Sequence, residues 1–401
     1  MWQMKTFKNR HMKTNSIKFK IVVFLFIVIA IGTTLILNFI NISYKKNIKL
    51  ASEQAIEQTK NAFNNLAEND SRMMHATLTG LLSNEKMRDL FLKKDIDKLY
   101  GYTKPIFEDL KTKTGITHWY FIEAEPEKKC FLRVHNKEKN GDIITRFTYE
   151  AAVKTKELSY GIELGKTAFA LRTVHPYLHN DSIIGYMELG EEIEHFFEIM
   201  KKQTGDDYGL LVKKEFLDEK KWESVCKTKN IENNWDKLPT TLLIENTSHN
   251  DEIIEFTADV ENIDDKGMVI NEIEKDGKTL VHGIIPLYDA GNRKTGGVFV
   301  LHDVTHLYAE MNATKTKVIF SVIAIMIAAI FIIFFILDRL VFKRLKALVT
   351  VATRVVGGDY NAKVNSNSND EIGEFETLFE QFRQVFVNLM AEYKWLVENK
   401  D

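Results

Sequence analysis

Two stretches of the chain are apolar and free of charge, residues 21–42 and residues 318–337. The second is long enough as a helix, about 30 Å at ~1.5 Å per residue, to cross a hydrocarbon core. Between them the pattern changes. Residues 45–92 place Ile56, Phe63, Leu66 and Met73 at helical intervals with few breakers, which predicts one long helix. A second helix is expected over 105–113, stopped by Gly115. Strand-like runs follow at 117–123, 130–135, 168–174 and 183–189, with a short helix over 145–157 among them. Strands with helices on one side predict an α+β domain. Beyond residue 337 the chain reads helix, connector, helix. Leu340, Leu345, Leu348, Val351 and Val355 mark the first helix and Gly357-Gly358 end it; the connector covers 359–369, and Asp370 is placed to cap the second helix.

The second helix has a regular seam. Ile372, Phe375, Phe379, Phe382, Phe386, Leu389, Tyr393 and Leu396 are separated by 3, 4, 3, 4, 3, 4 and 3 residues. Such a heptad pattern calls for partner helices, so a homodimer is expected.

The segment between the apolar stretches repeats itself. Gly165-Lys166-Thr167 leads into a strand, Pro176, a turn, and Gly185 at the start of a last strand; Gly277-Lys278-Thr279 leads through Pro286 to Gly297 in the same way. The glycines recur at a separation of 112 and the prolines at 110, which predicts two tandem lobes.

The residues after the second apolar stretch resemble the HAMP family of signal relays, through Asp370-Glu371-Ile372-Gly373-Glu374-Phe375 at the start of the second helix. The likeness covers about fifty residues, and implies a signalling role for Glu371, Ile372, Phe375, Phe379, Phe382 and Phe386. Such modules usually carry a proline near the start of the first helix, where Arg344-Leu345 stands here. The preceding segment resembles double Cache extracellular sensors of two-component kinases and chemotaxis receptors. It does so through Phe131-Leu132-Arg133-Val134-His135, Gly141-Asp142 with Arg146, residues 161–165, Leu171-Arg172 with Pro176, and residues 185–190. In the second lobe the likeness covers only the last two strands. The resemblances together imply two tandem PAS-like Cache lobes on a long N-terminal helix, two transmembrane helices and an α-helical HAMP coiled coil. The boundaries expected are 1–20 for a cytoplasmic tail, 21–42 for the first span and 43–190 for the long helix with a membrane-distal lobe. They continue with 191–317 for a membrane-proximal lobe, 318–337 for the second span, 338–388 for the HAMP module and 389–401 for the start of a coiled coil.

Charge sets the orientation. Lys5, Lys8, Arg10, Lys13, Lys18 and Lys20 precede the first apolar stretch, and Arg339, Lys343, Arg344 and Lys346 follow the second. Both ends are therefore expected in the cytoplasm of a bacterial cell, with residues 43–317 periplasmic or extracellular. A cleaved signal peptide fits poorly, because the small-residue site Ala30-Ile31-Gly32 falls in mid-run. The net charge of −2 across 401 residues gives no pull toward nucleic acid. Two cysteines, Cys130 and Cys226, are expected to stay unpaired and packed.

In the first lobe, Tyr120, Arg133, His135, Glu163, Arg172 and Glu188 sit on strands among apolar neighbours, with Arg146 nearby. Arg133 and His135 share a face because side chains alternate along a strand. These are either a solvated face or a pocket in which guanidinium groups grip a carboxylate while the acids hold the arginines or meet an amine. At a separation of 112, Arg172 corresponds to Ile284 and Glu188 to Val300, which places the pocket in the first lobe alone. Chemistry is expected nowhere. His175 and His179 flank Pro176 in what reads as a turn, His302 and His306 lack a third ligand, and no phosphate-cradling loop or nucleophile elbow occurs. No cofactor or metal is expected. The function expected is a transmembrane receptor for a small extracytoplasmic molecule. It passes its signal to a cytoplasmic protein, or to the output domain of a histidine kinase or diguanylate cyclase. An accessory membrane scaffold is the remaining alternative.

Overall fold

The computed structural model describes residues 17–165, 168–248, 260–365 and 368–398, so the basic residues 5–13 and Lys166-Thr167 of the repeat lie outside it. Two compact units result, Tyr44–Ala309 and the described parts of Met1–Ser43 with Glu310–Asp401.

Helix α1 (Ile17–Leu82), 66 residues, runs on from the first apolar stretch without a break, and its part from Tyr44 onward opens the first unit. The helix expected to reach residue 92 stops ten residues earlier. Asn84 accepts the Met87 N–H at 3.0 Å and caps a new helix, α2 (Glu85–Leu92). Asp95 then caps α3 (Ile96–Thr114), which ends in the left-handed Gly115 at φ 79°. Thus α3 begins well before the expected position and contains Pro105. The carbonyl this proline leaves without a donor belongs to Gly101, on the exposed face.

Two antiparallel sheets follow. The first combines β1 (His118–Glu123), β2 (Cys130–Arg133), β3 (Ser159–Leu164), β4 (Phe169–His179) and β5 (Ser182–Glu192), with α4 (Phe147–Thr155) between β2 and β3. The second combines β6 (Asp207–Lys213), β7 (Thr241–Asn246), β8 (Met268–Lys275), β9 (Lys278–Tyr288) and β10 (Lys294–Asp303), with α5 (Glu194–Thr204) ahead of it and α6 (Glu219–Lys229) after β6. Their strand orders, β2-β1-β5-β4-β3 and β7-β6-β10-β9-β8, are the same path through five strands. The repeat read from three short landmarks is therefore a repeat of the whole sheet. Strand β3 carries Glu163, as expected of a strand residue, but its bounds are not among the expected runs, since its Gly and Tyr obscure the alternation.

His175 and His179 lie on β4 itself, and the turn comes after them at Asn180-Asp181. Pro176 is tolerated inside the strand because β3 pairs with β4 only as far as Val174, leaving the missing N–H on an unpaired side.

One face of both sheets shares a core with α1. Ile56, Phe63, Met74 and Leu78 of the helix pack with Trp119, Phe121, Met187 and Leu189 of the first lobe and with Tyr208, Val298 and Val300 of the second. Each fully buried side chain of this size contributes about 1.5–3 kcal/mol. The opposite faces form separate clusters, Tyr120, Ile122, Tyr149, Val174 and Tyr186 in the first lobe and Leu211, Ile284, Phe299 and Leu301 in the second. Cys130 and Cys226 are buried free thiols in different lobes.

In the second unit, α7 (Thr305–Leu337) contains the second apolar stretch, and both α1 and α7 are long and apolar enough to cross a membrane. A π-helical turn, Asp338–Phe342, joins α7 to α8 (Lys343–Val356), just ahead of Arg344-Leu345, which stands where a proline is usual. Gly358, at φ 93°, closes α8; the last helix is α9 (Glu371–Glu398). Asp370 Oδ1 accepts the Gly373 N–H at 2.8 Å, as expected of its cap.

Candidate functional site

The site grows out of the strand register. Tyr120 on β1 lies opposite both Arg133 on β2 and Glu188 on β5. Arg172 on β4 lies opposite Gly190 on β5. Side chains two apart share a face, so Glu188 and the space above Gly190 adjoin. A Cβ at Gly190 would lie 3.3 Å from Arg172 Nη1, so the glycine leaves the track along which the guanidinium reaches Glu188. Arg172 Nη1 donates to Glu188 Oε1 at 2.5 Å, and Arg146, the residue before α4, donates to Oε2 at 2.8 Å. Glu188 is wholly buried. Its burial is tolerated because both oxygens are engaged by cations.

The Tyr120 ring lies beneath three guanidinium groups, with Arg146 at 4.5 Å, Arg133 at 5.3 Å and Arg172 at 5.5 Å from its centroid. Tyr120 thus serves as a ring platform for cations. Arg133 grips Asp142 with two bonds of 2.7 Å, and this carboxylate holds it above its ordinary value. His135 packs on Tyr120 at 4.9 Å and on His118 at 4.8 Å. Burial first, then Arg172, pushes His118 down to about 2; burial takes His135 down to about 4. Both imidazoles are neutral at neutral pH.

Glu163 does not hold an arginine. Its Oε1 accepts the Thr148 N–H at 2.7 Å, which places the carboxylate on the N-terminus of α4. Nor is an arginine left unpaired. Arg172 is held above its ordinary value by Glu188 although its burial works the other way. Six of the seven expected residues therefore meet around Tyr120 and Glu188, and Glu163 supports them through α4. Sequence reasoning missed His118, Asp142 and Gly190 as members of the site. Alternation alone points to His118, two residues before Tyr120 on the same face.

The sequence family described as a double sensory domain of two-component sensor kinases matches residues 49–308, more than half of the chain and both five-stranded lobes. The chain belongs to this double sensory domain family. The chain is also similar to solved sensory domains. That of the Campylobacter jejuni chemoreceptor Tlp3 shares 11% identity over 68% of this chain and 99% of its own, with a TM-score of 0.40. A structure of the Tlp3 ligand-binding domain with L-valine shares 12% over 68% and 97%, with a TM-score of 0.35. The Vibrio cholerae histidine kinase DctB sensor domain shares 10% over 62% and 98%, with a TM-score of 0.31. No curated protein sequence matches the chain.

Within the double sensory domain the second lobe has no such cluster among its described residues. Its register corrects the correspondences drawn at a separation of 112. Phe299 lies opposite Gly209 as Glu188 lies opposite Tyr120, so Phe299 and not Val300 is the counterpart of Glu188; Val300 faces α1. Counted back from the prolines, His282 rather than Ile284 stands where Arg172 does. Irregularities near Tyr177 in β4 and Lys294 in β10 shift the register, which a fixed separation cannot follow. Phe299 fills the space over Gly209, and Ile284 and Leu301 complete an apolar front.

Among the residues expected to signal, Glu371 opens α9 and is exposed, and Ile372 is half-buried. Phe375 and Phe382 are exposed, whereas Phe379 and Phe386 are half-buried and, with Phe382, line a cavity of about 150 Å³ against Val355 and Val356 of α8. The pair is held by polar residues that the seam did not reveal. Arg344 donates to Asp370 at 2.6 Å and to Glu376 at 2.7 Å, and Arg383 donates to Glu380 and to the Tyr360 carbonyl.

Proposed function

We propose that the chain is a dimeric transmembrane receptor whose first lobe binds a small molecule carrying a carboxylate, outside the cytoplasm of a bacterial cell. The observation that carries this reading is the charge inventory around Tyr120. Arg133 is matched by Asp142, but Arg146 and Arg172 share the one carboxylate of Glu188, and both histidines are neutral. Glu163 is engaged by the helix terminus. Two guanidinium groups thus share a single carboxylate beside an aromatic platform, and among the described residues neither has an ion-pair partner of its own. A ligand carboxylate would take Arg146 or Arg172 bidentately, and the amine of a zwitterion would meet the oxygen of Glu188 set free by that exchange.

On this reading α1 and α7 cross the membrane, with residues 43–317 outside and both ends inside. Displacement of α7 is passed through the π-helical turn to α8 and α9, which act as a HAMP module. The exposed Phe375, Phe382 and Leu389 then pack against a second copy. The receiver is a cytoplasmic signalling protein or an output domain. The test is thermal unfolding of the full chain in detergent against a panel of small carboxylates, amino acids and simple amines. Carboxylates and amino acids should raise the midpoint and simple amines should not. Stabilisation by amines alone would contradict the charge inventory.

A further inference from the structure

A second cluster lies on the other face of the first sheet. Glu191 on β5 shares its face with Met187 and Leu189, and so points toward α1 and the shared core. It is 1% exposed, and no hydrogen-bond donor reaches its Oε1. A carboxyl group in such surroundings either keeps its proton or needs a counter-charge. Asp70 of α1 and His195 of α5 bring donor atoms within 4.8 Å of it and of one another.

The histidine is oriented from outside the cluster. His195 Nδ1 lies 2.8 Å from the Glu192 carbonyl oxygen, which only accepts, so Nδ1 carries the proton. In the neutral ring Nε2 then presents a lone pair, 3.3 Å from Asp70 Oδ2. A second proton on Nε2 would let the ring donate to Asp70, whereas a cation accepting from all three groups would reconcile the two lone pairs and also serve the buried Glu191 oxygen. Fixing an imidazole through its other nitrogen is also how proteins aim metal-ligating histidines.

We propose that Asp70, Glu191 and His195 form a divalent-cation site that ties α1 to the end of β5 and the start of α5. Two carboxylates and a neutral imidazole balance a 2+ charge, and the nitrogen ligand favours a zinc-class ion over calcium or magnesium. The site lies where the chain passes from the first lobe to the second, so the ion clamps both to the helix on which they are built. This role is independent of ligand recognition, because the residues occupy the face of the sheet opposite Tyr120 and Glu188.

The experiment uses tag-free full chain in detergent, stripped with a chelator and then dialysed against zinc chloride or calcium chloride. Metal content is measured by atomic emission and unfolding by circular dichroism. The wild-type chain should retain a zinc ion that Glu191→Gln and His195→Gln both lack. Zinc, not calcium, should raise its unfolding midpoint, and that rise should vanish in both variants. Asp70→Asn, at a half-exposed position on α1, serves as a third variant if either of the others fails to fold. Equal zinc content and equal shifts in wild type and variants would overturn the proposal. So would a wild type that binds no zinc, which would assign the neutralisation of Glu191 to a proton shared with Asp70.

Discussion

Replacing Glu188 with glutamine keeps the shape of the side chain and removes the charge that two arginines share. Arg172 is 8% exposed and Arg146 keeps about a fifth of its side chain in contact with solvent. Breaking a buried ion pair by removing one partner costs about 3–5 kcal/mol. The amide oxygen still accepts one hydrogen bond, worth ~1 kcal/mol, so the expected loss is about 2–4 kcal/mol. In a unit of this size each kcal/mol moves the unfolding midpoint by about 2–4 °C, which gives a fall of roughly 4–16 °C by circular dichroism. A second substitution, Arg172→Met, removes the stranded cation, and the double variant should recover much of the loss. The cycle of four proteins should show a coupling of at least ~1 kcal/mol, as contacting buried charges do. A midpoint for Glu188→Gln within one degree of wild type, with no coupling, would refute the reasoning, because Glu188 would then be solvated.

The histidines give a pH dependence. The folded protein holds His135 at about 4 against an ordinary value of 6.5, so the unfolded chain takes up the proton first as pH falls. Stability is undiminished above 6.5 and declines from there toward 4, and in urea titrations His135→Gln should flatten that decline relative to wild type; equal slopes would contradict a buried neutral ring. Gly190→Ala would place a methyl 3.3 Å from both Arg172 Nη1 and the Leu171 carbonyl oxygen, and should weaken carboxylate binding, read by calorimetry, more than it lowers the midpoint. In α9, cysteine at Phe382, which is 67% exposed, should crosslink two chains in membranes, whereas cysteine at Arg383, 5% exposed against its own chain, should not; equal yields would rule out the proposed dimer face.

Much of this architecture is legible in the sequence because it rests on local patterns. The uncharged stretches, the heptad spacing after Asp370 and the glycine stop at Gly115 depend on neighbours within a few turns. The end of α1 was not legible, because the side-chain cap of Asn84 outweighs an apolar periodicity that continues past it. Pro105 reads as a helix start and lies inside α3, since the burial of Leu99, Thr103 and Phe107 holds the helix on both sides of it. The charged residues of the site stood out because strands seldom carry them among apolar neighbours. Their partners did not. Whether Glu163 meets an arginine or a helix terminus depends on where α4 begins, and the counterpart of Glu188 depends on strand irregularities that spacing does not record. Asp70, Glu191 and His195 are far apart along the chain, and only the packing of α1 against the sheet brings them together.

The central claim is that carboxylate recognition belongs to the first lobe and rests on Arg172. The direct measurement is isothermal titration of the full chain in detergent with the best carboxylate from the panel, on wild type, Arg172→Ala and Ile284→Ala. Ile284 is wholly buried in the apolar front of the second lobe, so its truncation should lower stability by about 2–5 kcal/mol and leave the affinity unchanged. Arg172→Ala should abolish the titration while the chain stays folded. Binding that survives Arg172→Ala and disappears with Ile284→Ala would contradict the account and move the site to the second lobe.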